Sequence, residues 1–179
     1  LSFWLGLLAV SGVVFIAAAL AVPTLLHLPF RSVHPLGWLF LSIVIGYLLW
    51  NCLSRNALRI GRLEFPHLPI RLACAQIIVA ALDWLLAAAV LDALLPATIS
   101  YPVFLSVYLL GQIAGVLSNI PGGLGIFETV LLVSLSSVIS PTALLGTLLL
   151  YRVIYYLLPL TCAVVLLGVY ELQQRYHRV

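Results

Sequence analysis

From Leu1 to Phe30 the chain carries no aspartate, glutamate, lysine or arginine. Such a stretch has no face to turn toward water, and within it Phe3–Val22 reaches the ~20 residues that a helix needs to cross a bilayer. The pattern recurs at Leu36–Leu53, Leu72–Leu95, Tyr101–Leu117, Ile126–Ile139 and Thr142–Tyr170. Charged residues make up 7% of the whole, against roughly 25% in a soluble domain. The expected fold is therefore all-α: a polytopic integral membrane helical bundle, one transmembrane domain over residues 1–179 with about six membrane segments. A secretory signal is excluded for the first segment, because no basic front precedes it and no small-residue cleavage site follows. Beginning at Leu1 and lacking methionine, the chain is expected to be a piece of a longer protein.

The cations, all arginines, are placed unevenly. Arg55, Arg59, Arg62 and Arg71 crowd one short stretch with Glu64 and His67, broken by Pro66 and Pro69, and Arg175 and Arg178 close the chain beside His177. The positive-inside tendency assigns both regions to the cytoplasm. The Pro23–Pro35 loop, with His27, Arg31 and His34, then faces outward at headgroup level, while Trp38 and Trp50 suit the aromatic belts. A net charge of +3 spent on topology leaves no case for a nucleic-acid partner. Cys52, Cys74 and Cys162 stand in apolar runs and read as buried small hydrophobes. They offer neither a disulfide framework nor metal-ligand spacing, so no cofactor or metal is expected.

One segment breaks the apolar pattern. Ser118–Glu128 holds Asn119, Pro121, Gly122, Gly123 and Gly125, followed directly by Glu128. Pro121 lacks an N–H and the glycines lose much backbone entropy on ordering, so a helix ends here. Opened backbone survives at membrane depth only where protein or a wet cavity covers it. Glu128 is then suited to the N-terminus of the next helix, where the dipole favours an anion. Residues 126–139 are barely long enough to cross. A second topology is therefore open: 101–117 and 126–139 form a re-entrant hairpin with the glycines at its tip, leaving four full spans. Gly111 and Gly115 give a small-xxx-small stripe that lets another helix approach closely.

Asp83, Glu128 and Arg152 all fall near mid-membrane when counted at 1.5 Å per residue from the ends of their segments. Charges at that depth pair or line a wet cavity. Two roles fit: a structural ion pair, or a lipid-headgroup site in which Arg152 takes a phosphate in bidentate fashion beside backbone N–H groups of Gly122–Gly125. Tyr151, Tyr155 and Tyr156 surround Arg152, and the first two share a helix face. Pro159 is expected to kink this long helix. No Ser/His/Asp set, nucleophile with paired carboxylates or Cys/His cluster is present in the sequence, so an enzyme is not expected.

Ile120-Pro121-Gly122-Gly123-Leu124-Gly125-Ile126-Phe127-Glu128, followed by Tyr151-Arg152-Val153-Ile154-Tyr155-Tyr156-Leu157-Leu158-Pro159, resembles the membrane domain of the bacterial lysyl-phosphatidylglycerol synthases. The multiple peptide resistance factor is the best known of these, and stand-alone relatives lack the synthase domain. The motifs cover residues 118–160. The resemblance implies a flippase in the bacterial cytoplasmic membrane, moving aminoacylated phosphatidylglycerol or a related phospholipid to the outer leaflet and so reducing the attraction of cationic peptides. It implies phospholipid as partner and a synthase domain in the same parent chain; a homo-oligomer is also open. The alternative reading is a structural membrane anchor for that synthase domain.

Overall fold

A computed structural model of the chain describes residues 2–17, 33–53, 58–60, 63–65, 68–96 and 99–176. His27 and Arg31 of the outward-assigned loop lie outside the described residues, as do Arg55, Arg62, His67, His177 and Arg178. The expected sidedness of those loops therefore falls outside them as well.

The apolar segments fold as helices because a helix satisfies its own backbone groups where no water is available. In order they are α1 (Ser2–Ala17), α2 (His34–Leu53), α3 (Ile70–Leu94), α4 (Tyr101–Leu117), α5 (Ile126–Leu135), α6 (Pro141–Arg152) and α7 (Leu158–Tyr176). One feature was not expected: within the arginine-rich segment, β1 (Leu58–Ile60) pairs antiparallel with β2 (Leu63–Phe65), setting Arg59 opposite Glu64. Three helical stretches, His34–Leu53, Ile70–Leu94 and Pro141–Glu171, are long and apolar enough to cross a membrane, while Phe3–Ala17, Tyr101–Leu117 and Ile126–Leu135 are shorter. The six crossings expected from hydropathy thus reduce to three helices of full length among the described residues. The fifth segment ends early: Ser136–Val138 turns, and α6 starts at Pro141 with Ser140 in extended backbone before it.

Helix α1 packs against α2 and α3 through positions without side chains. Gly6 lies against Ala80, Gly12 against Leu41, and Gly37 against Ile16 and the Gly12 carbonyl. Between helices in lipid the hydrophobic effect contributes little, so close van der Waals contact and hydrogen bonds hold the bundle. The Trp84 indole N–H donates to the Phe3 carbonyl at 3.3 Å, tying α3 to α1. The Tyr101 hydroxyl donates to the Leu85 carbonyl at 3.1 Å, tying α4 to α3. The small-residue stripe on α4 is used within the chain: Gly111 meets Leu131 and Phe127 of α5, and Gly115 meets Gly123. Helices α4 and α5 thereby form an antiparallel hairpin around the glycine segment.

Cys52 and Cys162 are exposed and Cys74 is half-buried, contrary to the expectation of buried thiols. The bilayer is itself an apolar solvent, so small apolar side chains need no protein cover. Helix α7 carries this furthest, with its described side chains exposed throughout.

Candidate functional site

The glycine segment is built from unusual backbone. Asn119 ends α4 in the left-handed region at φ 56°, where the Cβ penalty is lowest for asparagine and glycine. The Ser118 hydroxyl donates to the Gly115 carbonyl at 2.6 Å and accepts the Ile120 N–H at 3.3 Å, closing the turn. Pro121–Gly123 forms one 3-10 turn, and Gly123 (φ 59°) lies directly on Gly115 of α4. Gly125 (φ 85°) starts α5.

Glu128 occupies the first turn of α5 and folds back, its Oε2 accepting the Gly125 N–H at 2.7 Å. This is the reciprocal half of a capping box. Its Oε1 accepts from Arg152 Nε at 2.6 Å and is also engaged by Arg152 Nη2. Arg152 Nη2 lies 3.5 Å from the Gly122 carbonyl, and its guanidinium carbon is 5.9 Å from the Tyr156 ring centre. Depth alone left Asp83 and Glu128 as candidate partners of Arg152; the direct contact is with Glu128. It also changes the phosphate reading, because Glu128 already takes two of the three guanidinium nitrogens. The Gly125 amide is taken too, and the Gly123 N–H goes to the Ile120 carbonyl at 2.9 Å. Bidentate capture of a phosphate by Arg152 would first have to displace Glu128.

Arg152 ends α6, and the next five residues, Val153–Leu157, make a π turn in which the Leu158 N–H bonds to the Val153 carbonyl. The irregularity in this long helix falls one turn before Pro159, as a wide turn whose register suits a residue with no N–H to give. Tyr151 and Tyr155 stack at 5.4 Å with 10° between rings. Tyr151 is buried, and its hydroxyl shares a 3.0 Å hydrogen bond with that of Tyr108 on α4. Tyr155 reaches across to α3, donating to Asp83 Oδ1 at 3.2 Å.

These groups surround one cavity of about 380 Å³, lined in part by Asp83, Gln112, Gly122, Arg152, Tyr155 and Tyr156. Asp83 belongs to it, but through Tyr155 rather than through Arg152. Glu128 stands behind Arg152, and Asn119 serves the α4 terminus. Sequence reasoning did not single out Phe3, Trp84, Gln112 or Phe127 as lining residues. Gln112 was the one with a signal, a lone amide inside an apolar helix.

The chain is 48% identical over 176 residues to an uncharacterized protein of Synechocystis sp., covering 97% of this chain and 55% of that protein. It is 30% identical over 167 residues to the inner membrane protein YbhN of Escherichia coli, covering 90% of this chain and 52% of that one. It is 32% identical over 132 residues to the phosphatidylglycerol lysyltransferase of Staphylococcus haemolyticus, covering 72% of this chain but 14% of that enzyme. No family model matches. The chain spans about half the length of the first two relatives. The relationship implied by the two motifs is supported by these similarities to the phosphatidylglycerol lysyltransferases and to the inner membrane protein YbhN.

Proposed function

We propose, with that relationship as premise, that this domain moves a phospholipid between leaflets of a bacterial cytoplasmic membrane, its headgroup passing through the cavity at Arg152. The observation that carries the reading is a polar cavity enclosed by a broken helix and a π turn inside an otherwise apolar bundle. Such discontinuities are tolerated at membrane depth where they line a wet path. Helix α5 has 10 residues, which at 1.5 Å each rise ~15 Å, half of a ~30 Å core. Arg152 lies 12 residues into the helical stretch that starts at Pro141, ~18 Å along it on the same arithmetic. The shortness of α5 and this depth of Arg152 both favour the re-entrant topology, with the glycine turn and Arg152 meeting near the midplane. Aminoacylated phosphatidylglycerol is the candidate cargo, by analogy with what the lysyltransferases are named for, and its outward movement would lower the attraction of cationic peptides. The role is transport rather than catalysis.

The test uses the full-length parent protein in vesicles whose inner leaflet carries a fluorescent short-chain phospholipid. Quencher added outside is expected to reach the inner pool faster than in empty vesicles, and Arg152→Ala is expected to remove the acceleration. A parent that leaves the lipid in place while still holding an attached synthase domain at the membrane would replace this reading by the anchor.

A further inference from the structure

The charges around the cavity do not cancel. Glu128 and Arg152 neutralise each other, and Glu128 fills the backbone N–H position at Gly125 that an external anion would need. Asp83 remains. It enters from α3 with its side chain exposed at the cavity, its Oδ1 accepts the neutral Tyr155 hydroxyl, and among the described residues no cation pairs with it. On the translocase reading the cavity lies at membrane depth, where a carboxylate without a counter-charge calls for a positive partner. The walls beside it are aromatic. Phe3 and Trp84 pack at 4.8 Å, Tyr155 and Tyr156 meet edge to face at 5.4 Å, and all four line the same cavity. Aromatic faces around a carboxylate form an environment that attracts an ammonium group.

We propose that Asp83 is the specificity-determining residue of the cavity: it receives the ammonium group of a phospholipid headgroup, selecting ammonium-bearing lipids over purely anionic ones. The assignment rests on the translocase reading for its location and deepens it by naming the residue that reads the headgroup. Arg152 Nη1, the guanidinium nitrogen with no protein acceptor among the described residues, is left for the lipid phosphate. Asp83 and Arg152 then meet the two ends of one zwitterion. Nothing in this arrangement rewards a lipid that brings a second negative charge.

Binding and movement are measured separately on the full-length parent. Short-chain fluorescent phosphatidylethanolamine and phosphatidylglycerol are titrated against the protein in detergent, then followed between leaflets in vesicles. The wild type is expected to bind the ethanolamine lipid about tenfold more tightly, the scale of one charge-assisted hydrogen bond. Asp83→Asn keeps the acceptor for Tyr155 and is expected to bring the two lipids within about threefold, while Asp83→Glu keeps the preference. Wild-type protein that binds both lipids equally, or prefers phosphatidylglycerol, overturns the assignment whether or not the variant folds. Soluble phosphoethanolamine binding as tightly as the lipid overturns the choice of a lipid ligand. Preference in binding without movement overturns the translocase reading and upholds the role of Asp83; movement without preference does the reverse.

Discussion

Glu128 and Arg152 join two helix ends rather than two helix flanks: the carboxylate lies in the first turn of α5 and the guanidinium in the last turn of α6. Because Glu128 is also held by the Gly125 N–H at 2.7 Å, the pair fixes the entry of α5 and the start of the π turn together. The Glu128 side chain is only 17% exposed and that of Arg152 20%. Arg152→Ala therefore strands a half-buried carboxylate, expected to lower stability by about 3 kcal/mol, the low end for breaking a buried pair. Thermal unfolding in detergent, followed by tryptophan fluorescence, measures it.

The reciprocal exchange Glu128→Arg with Arg152→Glu is expected to recover almost nothing. An arginine at position 128 cannot accept the Gly125 N–H, and it places a cation at the positive end of α5. Glu128→Gln keeps that acceptor and loses only the charge, so it is expected to fall between wild type and Glu128→Ala. Recovery of stability by the exchange would show that the cap contributes nothing.

The glycines separate by geometry. A Cβ on Gly123 would sit 3.0 Å from the Gly115 Cα with φ at 59°, so both contact and backbone resist it. Gly123→Ala is expected to cost at least the ~1–2 kcal/mol of a left-handed L-residue. Gly146 and Gly168 have nothing within 4 Å and stand in helix interiors, so alanine there is expected to stabilise by ~0.5–1 kcal/mol. The same unfolding assay should give the two groups opposite signs.

Part of this arrangement was legible in the sequence. Asp83, Glu128 and Arg152 could be brought to one level because helices convert residue counts into distance, but depth did not choose which carboxylate meets the arginine. The position of Asp83 followed from the same count, but its partner did not. Tyr155 belongs to the π turn Val153–Leu157 and reaches Asp83 on α3, a pairing across helices that periodicity within one segment does not show. The closure of the phosphate position by Glu128 was also hidden, since a capping carboxylate and a free one look alike in sequence. Cysteine burial was misjudged because apolar context in a membrane chain does not distinguish lipid from protein as neighbour. The β1–β2 hairpin left no trace in a segment read from its prolines and arginines.

Tyr108 and Tyr151 share a buried hydrogen bond of 3.0 Å. Either Tyr→Phe change leaves the remaining hydroxyl without a partner, expected to cost ~1–3 kcal/mol. Removing both hydroxyls leaves no orphan, so the double variant is expected to be more stable than the sum of the singles predicts. Strict additivity in the four-protein cycle would show that the two hydroxyls are solvated independently.

The membrane placement of the glycine turn is open to direct measurement. With α5 rising only ~15 Å, the turn should stop near mid-core rather than emerge on the side reached by α7. Single cysteines at Ser100, Leu124, Ser140 and Gln173 report the four relevant levels, in a background where Cys52, Cys74 and Cys162 are replaced. The replacement is needed because Cys52 and Cys162 are exposed. Both topologies put Ser100 and Ser140 on one face and Gln173 on the other, so those three serve as references for a bulky, impermeant maleimide. Leu124, exposed on the turn, decides between them. In the re-entrant hairpin it is shielded from both faces and labels much more slowly than any reference. Labelling of Leu124→Cys from the Gln173 face at the Gln173 rate would mean that the turn reaches water there. The Glu128–Arg152 pair would then lie near that membrane surface, and the cavity would no longer be a midplane site.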